Sequence, residues 1–397
     1  MMAKIRDDQE IVTQFLLNTC GLHHRLNVEA VDALSRCADL ASRHSKSTVD
    51  NEGDVIPMTT GSVAEFYIQP LLSCVGDHDV MFHLSDELAI PAGTAPPTDL
   101  PGEFQNRVDV FEIVDSEFPG YVYLVSSYLL TECIDDGKYN TVECERRYGT
   151  YEVEAQSHGP AIVTRWSYAK PPFLERVASE SYSRDEVYCV RCLSWPPQAA
   201  AWPTRHRNYG WPDSATVDRV VINGCDVVRV AHRQCRRDEW MHHRQHRLSF
   251  SRAEIVLLNS WTPVQQIMYH MLRVFVKTER LTDSADYSET ATLSNYRIKT
   301  LMLWACELKP RSRWTNDLNL VRLNVQLLHT LAVWLTDIRC PHYFVNKCNL
   351  FDYSDNWHCS PLLVASSGLL TTIYANVLSF VLRIFHGCLV TSVLVAN

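Results

Sequence analysis

The sequence has no excess of positive charge. Its 37 Lys and Arg are outnumbered by 46 Asp and Glu, for a formal net charge of −9. That balance excludes a protein that coats nucleic acid with its whole surface, so any such contact must be a local patch on an acidic body. Nor do the 14 cysteines show the spacing of a disulfide scaffold. Reduced thiols and a cytoplasmic location are therefore expected. The opening Met-Met-Ala-Lys-Ile-Arg-Asp-Asp lacks the apolar core of a secretory leader. There are no internal repeats and no low-complexity tract, which removes solenoids and disordered arrays. What remains is ordinary globular composition, 46% hydrophobic and 21% charged over 397 residues. That is enough chain for one bilobal unit or two domains.

Chemistry concentrates in two short segments. In the first, Gly61-Ser62 is followed by Asp77-His78-Asp79-Val80-Met81-Phe82. A glycine lets the backbone approach a phosphate, and the Ser62 hydroxyl can donate to a phosphate oxygen. Asp77 and Asp79, two apart in a strand, would point into one cleft. Two carboxylates so close call for a cation, and hard oxygen ligands near phosphate suit Mg²⁺ or Mn²⁺. Two such ions can activate an attacking hydroxyl and stabilise leaving pyrophosphate. A third acid is needed from a neighbouring strand. Asp185, opening Asp185-Glu186-Val187-Tyr188-Cys189, is the first choice and Asp226 the second. Taken singly, each motif also fits a solvated loop or strand edge.

The second segment is Arg247-Leu248-Ser249-Phe250-Ser251, with Glu254 after it. Taken with the acids, with Trp195-Pro196 ten residues after Asp185, and with Asn295-Tyr296-Arg297-Ile298-Lys299-Thr300, Tyr343-Phe344 and Asn349-Leu350-Phe351, it resembles the metazoan cyclic GMP-AMP synthase-like receptors. These share their fold with the male-abnormal-21 proteins. The resemblance covers roughly residues 55 to 352. It implies an α+β fold, a bilobal nucleotidyltransferase with a mixed β-sheet catalytic lobe packed against a C-terminal helical lobe and the active site between them. It implies that Ser62 holds a triphosphate, that Asp77, Asp79 and Asp185 are catalytic and ligate two metal ions, and that Arg247, Ser249, Ser251 and Glu254 line the base pockets. Lys277 and Lys299 would reach the donor triphosphate, with Asn295 beside them and Tyr296 stacking on a base. Two departures stand out. His78 occupies a position that is apolar in relatives and is expected to pack away from the metals. Between Glu254 and Lys277, His270 is the lone ligand-type His or Cys, so no zinc thumb is expected.

The chain divides, on this reading, into an N-terminal helical segment (1-50), a catalytic lobe (51-252), a helical lobe (253-352) and a divergent apolar tail (353-397). Pro91 to Gly102 reads as a loop, and residues 107 to 192 as short strands with turns such as Asp136-Gly137. Helices are expected from Pro263, from about Tyr296 to Leu308, and from about Asn319 to Asp337. Cys189-x-x-Cys192 reads as structural, since on a strand those side chains face opposite sides. The run from Arg229 to Arg247 is the most basic stretch. It is either a surface for a nucleic-acid activator, through Arg233, Arg236 and Arg237, or a solvated hairpin; Arg311 and Arg313 are further candidates. Pro361 to Leu382 is uncharged, which leaves a bilayer anchor, a packed terminal helix or an exon-boundary artefact, the last two together being favoured over the anchor.

Two functions follow. The first is an enzyme that joins ATP with GTP or another nucleoside triphosphate into a cyclic dinucleotide once double-stranded RNA binds, the product being read by a STING-type receptor in antiviral signalling. The second is a catalytically silent male-abnormal-21-like structural or developmental protein. A templateless oligonucleotide-forming transferase is a third. Retention of Gly61-Ser62 and all three acids favours the enzyme.

Overall fold

The structure, a computed structural model, describes residues 55–65, 78–149, 162–166, 182–232, 234–235, 239–278, 294–314 and 320–351. The segments 1-50 and 353-397, with Asp77, Arg233, Arg236 and Arg237, lie outside the described residues. The chain falls into two compact units. A sheet unit runs to Thr204 and resumes over Ser214–Asn259, and a helical unit takes Arg205–Asp213 and the chain from Ser260.

Among its described residues the sheet unit has nine strands: β1 (Val55–Thr60), β2 (His78–Pro91), β3 (Arg107–Asp115), β4 (Tyr121–Glu132), β5 (Tyr139–Tyr148), β6 (Ile162–Trp166), β7 (Tyr182–Cys192), β8 (Cys225–Val228) and β9 (Gln245–Ser249). Its helices are α1 (Gly61–Glu65), α2 (Ala201–Thr204), α3 (Ser214–Ile222) and α4 (Ser251–Asn259). The strands lie in the order β1-β2-β3-β4-β9-β8-β7-β6, with β5 on β4. β2 is the hub. It pairs antiparallel with β1 at its start, parallel with β3 at its end, and parallel with β7 on its other edge. The pairings from β2 through β3, β4, β9, β8 and β7 return to β2. A strand segment covered on both edges and both faces should be apolar, and β2 is so toward its two ends but not over His83 to Glu87, where its register with β7 shifts. Val80, Met81, Phe82, Leu88, Ala89 and Ile90 of β2 are all buried. The loop expected over Pro91 to Gly102 begins where β2 ends, and Gly137, at φ +69°, turns β4 into β5.

Sequence placed a lobe boundary at 252/253. It falls inside α4, which packs on α3, α1 and β8 and so belongs with the sheet. The three Trp-Pro dipeptides divide likewise. Trp195 packs on Trp202 and Phe250 in the sheet unit, while Trp211 donates from Nε1 to Ser260 in the helical one.

The helical unit is built on α5 (Pro263–Thr278), α6 (Asn295–Leu308) and α7 (Leu320–Thr336). Thr262 and Gln265 start α5 as a capping box. The Thr262 N–H donates to Gln265 Oε1 at 2.7 Å, and the Gln265 N–H donates back to the Thr262 hydroxyl at 3.4 Å. Glu307 of α6 is buried and draws 205–213 into this unit. It accepts from Arg205 at 2.8 Å and from the Tyr343 hydroxyl at 2.7 Å, and the Arg205 guanidinium lies over the rings of both Trp304 and Tyr343. The Asn349 side chain closes the far end, accepting from the Cys340 N–H and donating to the Ile338 carbonyl. Arg297 covers the Phe351 ring at 4.3 Å and donates to the Leu350 carbonyl. The motifs at Tyr343-Phe344 and Asn349 to Phe351 are thus packing devices. Among the described residues no helix is long and apolar enough to cross a membrane.

Candidate active site

Strand register brings distant parts of the chain together. Thr60, the last residue of β1, pairs with Asp79 of β2, and Asp79 pairs with Asp185 of β7. Asp185 pairs in turn with Val163 of β6. Thr60, Asp79 and Asp185 therefore form one rank across three adjacent strands. Gly61, at φ +63°, and Ser62 open α1 immediately beyond Thr60. That positive φ is where glycine carries no Cβ penalty. The side chains of Ser62, His78, Asp79 and Asp185 are outside the described residues, as is the whole of Asp77. Sequence reasoning had not singled out Thr60, although its place directly before Gly61-Ser62 was a signal.

Below the rank lies an apolar floor. Met58, Met81, Cys189 and Val228 form one buried cluster, with Val187 against it. Met81 is two residues beyond Asp79, the spacing at which strand positions share a face. Ser249, at the end of β9, has its hydroxyl 3.9 Å from the Met81 sulfur and 3.1 Å from the hydroxyl of Ser251, the first residue of α4. Arg247 is half-buried two residues earlier on β9, between Tyr121 and Val228. Glu254 is buried in the first turn of α4. The residues Arg247, Ser249, Ser251 and Glu254 thus enter from β9 and α4, and the two serines adjoin the floor beneath Asp79.

Asp226, the second choice for third acid, lies elsewhere. It pairs with Arg191, six residues along β7 from Asp185, or about 20 Å at the rise of a strand. Its carboxylate is fully buried and binds Arg252 Nε at 3.1 Å, with Arg191 Nη1 at 3.9 Å. Two guanidiniums already neutralise it, so it anchors α4 to β8. Of the two candidates, only Asp185 stands beside Asp79.

In the helical unit, Asn295 is the exposed first residue of α6. Tyr296 and Lys299 are neighbours on that helix. The Lys299 ammonium is 5.6 Å from the Tyr296 ring centroid, and the Tyr296 hydroxyl lies 3.1 Å from His342 Nε2. Lys299 is largely buried. Lys277 is the penultimate residue of α5, with its side chain outside the described residues.

The basic run after β8 is mostly engaged where it is described. Arg229 reaches Glu87 at 3.5 Å, His232 is buried and stacked on Phe118 at 3.8 Å, and Arg244 donates to the Trp240 carbonyl. β8 and β9 pair antiparallel, so the run connects a hairpin. Cys189 and Cys192 are both buried. Cys192 faces Cys225 across the β7–β8 ladder, while the Cys189 thiol donates to the Phe82 carbonyl. Among the described residues, no three His, Cys, Asp or Glu gather closely enough to hold a metal.

Two buried histidines give stability a pH dependence. Burial pulls His246 down to about 4, with the Arg229 charge adding to it against the hydrogen bond to the Arg244 carbonyl. Burial, then the Arg273 charge, pulls His270 down to about 3. Below pH 6.5 the unfolded chain takes up protons that the folded chain refuses. Stability is therefore fully present above about 6.5 and lost as pH falls toward 4 and 3, by on the order of 1.4 kcal/mol per pH unit for each histidine. Urea midpoints should drop between pH 7 and pH 5, and His246→Gln/His270→Gln should flatten that slope. An unchanged slope would assign the loss to other groups.

Comparison with known proteins places both units. Residues 135–260 match the family described as the Mab-21 protein nucleotidyltransferase domain, and residues 264–363 match the Mab-21 protein HhH/H2TH-like domain. The first match includes Asp185 and begins after Asp79; the second runs past Phe351, where the sequence resemblance ended. A protein mab-21-like of Aedes aegypti is 30% identical over 167 residues, 40% of each chain. One of Anopheles gambiae is 29% identical over 181 residues, 43% of this chain and 45% of its own. The matched stretches thus span less than half the length of these relatives.

Proposed function

We propose that this chain, which carries a Mab-21 nucleotidyltransferase domain followed by the helical Mab-21 C-terminal domain, is a nucleotidyltransferase that makes a cyclic dinucleotide from nucleoside triphosphates when double-stranded RNA binds it. The observation that carries this reading is the register of Asp79 with Asp185, one rank with Thr60 and next to Gly61-Ser62. Register neighbours on adjacent strands turn to one face of a sheet. A rank of carboxylates beside a phosphate-type turn is a hard-oxygen donor set, and it fits a divalent cation.

Asp79 and Asp185, with Asp77, would hold Mg²⁺ or Mn²⁺. Bound there, such ions would polarise the α-phosphate and lower the pKa of an acceptor hydroxyl. Gly61 and Ser62 would hold the triphosphate. Arg247, Ser249, Ser251 and Glu254 would orient bases over the apolar floor. Lys277 and Lys299 would offset phosphate charge, with Asn295 and the Tyr296 ring against a base. In the reaction a ribose hydroxyl attacks the donor α-phosphate. A phosphodiester P–O bond forms, the bond to pyrophosphate breaks, and the hydroxyl proton leaves. A second attack, by a ribose hydroxyl of the linear dinucleotide on its remaining α-phosphate, closes the ring and releases a second pyrophosphate and a proton. Positioning by these side chains supplies much of the rate. The activator would bind Arg233, Arg236 and Arg237. A STING-type receptor would read the product, and the cytoplasm would be the setting.

The relatives are named mab-21-like, which fits the second reading, a catalytically silent protein on the same domain, equally well. One experiment separates them. Purified protein is incubated with labelled nucleoside triphosphates and Mg²⁺ or Mn²⁺, with double-stranded RNA, double-stranded DNA or neither. A cyclic dinucleotide formed with RNA, falling steeply with salt, is the expected result. Equal activation by DNA removes the RNA assignment, linear oligomers favour a templateless transferase, and no product under any condition supports the silent reading.

A further inference from the structure

We propose that the helical unit binds a small ligand carrying clustered phosphate groups, in the cavity between the end of α6, the turn Arg311–Trp314 and the middle of α7. The inference is independent of the acid rank. The cavity holds about 520 Å³, within the size range of small-molecule sites. Lys309, Arg313 and His329 reach it from three different elements, Gln326 and Thr330 add donors, and no carboxylate is among its described lining residues. Neither Lys309 nor Arg313 forms an ion pair among the described residues.

The bland alternative is that Lys309 offsets the dipole at the end of α6. A dipole needs charge only near the last turn. Arg313 lies on the turn beyond, and His329 is on α7. Lys309 is also held below the usual lysine range, by burial and then by the Arg313 charge. Two cations that raise each other's electrostatic energy, in a lining with no carboxylate among its described residues, leave room for an anion to relieve them. Clustered phosphates match this lining better than a single carboxylate, because three separated cationic or imidazole groups can each meet an oxygen. The cavity volume favours a compact molecule over a nucleic-acid backbone.

The test is calorimetric titration of the full chain with sodium triphosphate at low salt, with EDTA present so that a metal-dependent site contributes nothing. One-site binding is expected, and it should survive Asp79→Asn/Asp185→Asn. It should weaken by about tenfold for each cation removed in Lys309→Gln and Arg313→Gln. Arg313 is exposed, so its variant should melt as the parent does. ATP, run as a second titrant, asks whether a nucleoside improves on the bare phosphates; equal affinity leaves the phosphates as the recognised group. No binding, equal binding in the Lys309→Gln/Arg313→Gln double variant, loss of binding in Asp79→Asn/Asp185→Asn, or binding of an RNA duplex but not triphosphate would each overturn the proposal.

Discussion

Asp79→Asn combined with Asp185→Asn should abolish nucleotide transfer and leave the melting temperature unchanged or slightly raised. The two positions are register partners on adjacent parallel strands, a backbone spacing of roughly 5 Å. Two ionised carboxylates at such a separation repel by about 3 kcal/mol at an effective dielectric of 20. A fold gains nothing from that repulsion by itself, so removing the charges should not cost stability. A cation between the acids reverses the sign, and charge stabilisation in the transition state is then worth several kcal/mol. At 1.36 kcal/mol per decade, product formation should fall by at least about a hundredfold. Asn keeps the size and removes the charge, which separates electrostatics from packing. Product at the parental rate from the double variant would falsify the acid-rank reading. A large drop in melting temperature with parental activity would show instead that the pair is structural.

The local parts of this architecture were legible in sequence, and the non-local parts were not. Pro263, with Thr262 and Gln265 around it, announces α5, and α6 ends at Leu308 shortly before Pro310. Those signals lie within one turn of the residues they govern. The segments that hold Asp79 and Asp185 were legible as strands. Nothing local says that residue 79 of one pairs with residue 185 of the other, since register depends on both strands and on everything between them. The same limit applies to α4. The helical lobe was drawn from 253, but which unit the buried residues Ala253 to Leu258 meet is a tertiary fact, and the boundary at 252/253 cut the helix. Glu307 reads as an ordinary polar residue near a helix end, and only the fold shows Arg205 and Tyr343 converging on it. Cys192 was visible through its spacing to Cys189, whereas its neighbour in space is Cys225. Arg233, Arg236 and Arg237 remain known by sequence alone, as does Asp77.

The same kind of tertiary fact decides the role of Asp226, and its replacement should give the opposite signature to that of the acid rank. Asp226→Ala should destabilise the sheet unit by about 3–5 kcal/mol, because it leaves guanidinium charge buried without its partner. Asp226 is fully buried between Arg252 at 3.1 Å and Arg191 at 3.9 Å. Arg191 also donates to the carbonyls of Cys192, Cys225 and Asn223, so the backbone retains part of its solvation. Arg252, next to Ser251 at the start of α4, donates from Nε to both oxygens of this carboxylate. Loss of Asp226 should be felt at Arg252 and at the seating of α4. Against a total stability of about 5–15 kcal/mol, that is a large share. Urea unfolding should show a lowered midpoint with an unchanged slope, and Asp226→Ala/Arg252→Leu should recover part of the loss by removing the stranded charge. Asp226→Asn keeps the shape of the side chain and isolates its charge. It should lose stability, with activity that persists at temperatures where the variant remains folded, whereas Asp185→Asn should lose activity at full stability. If Asp226→Asn were inactive with parental stability and Asp185→Asn active, the third acid would be Asp226, and the register of Asp79 with Asp185 would carry no catalytic meaning.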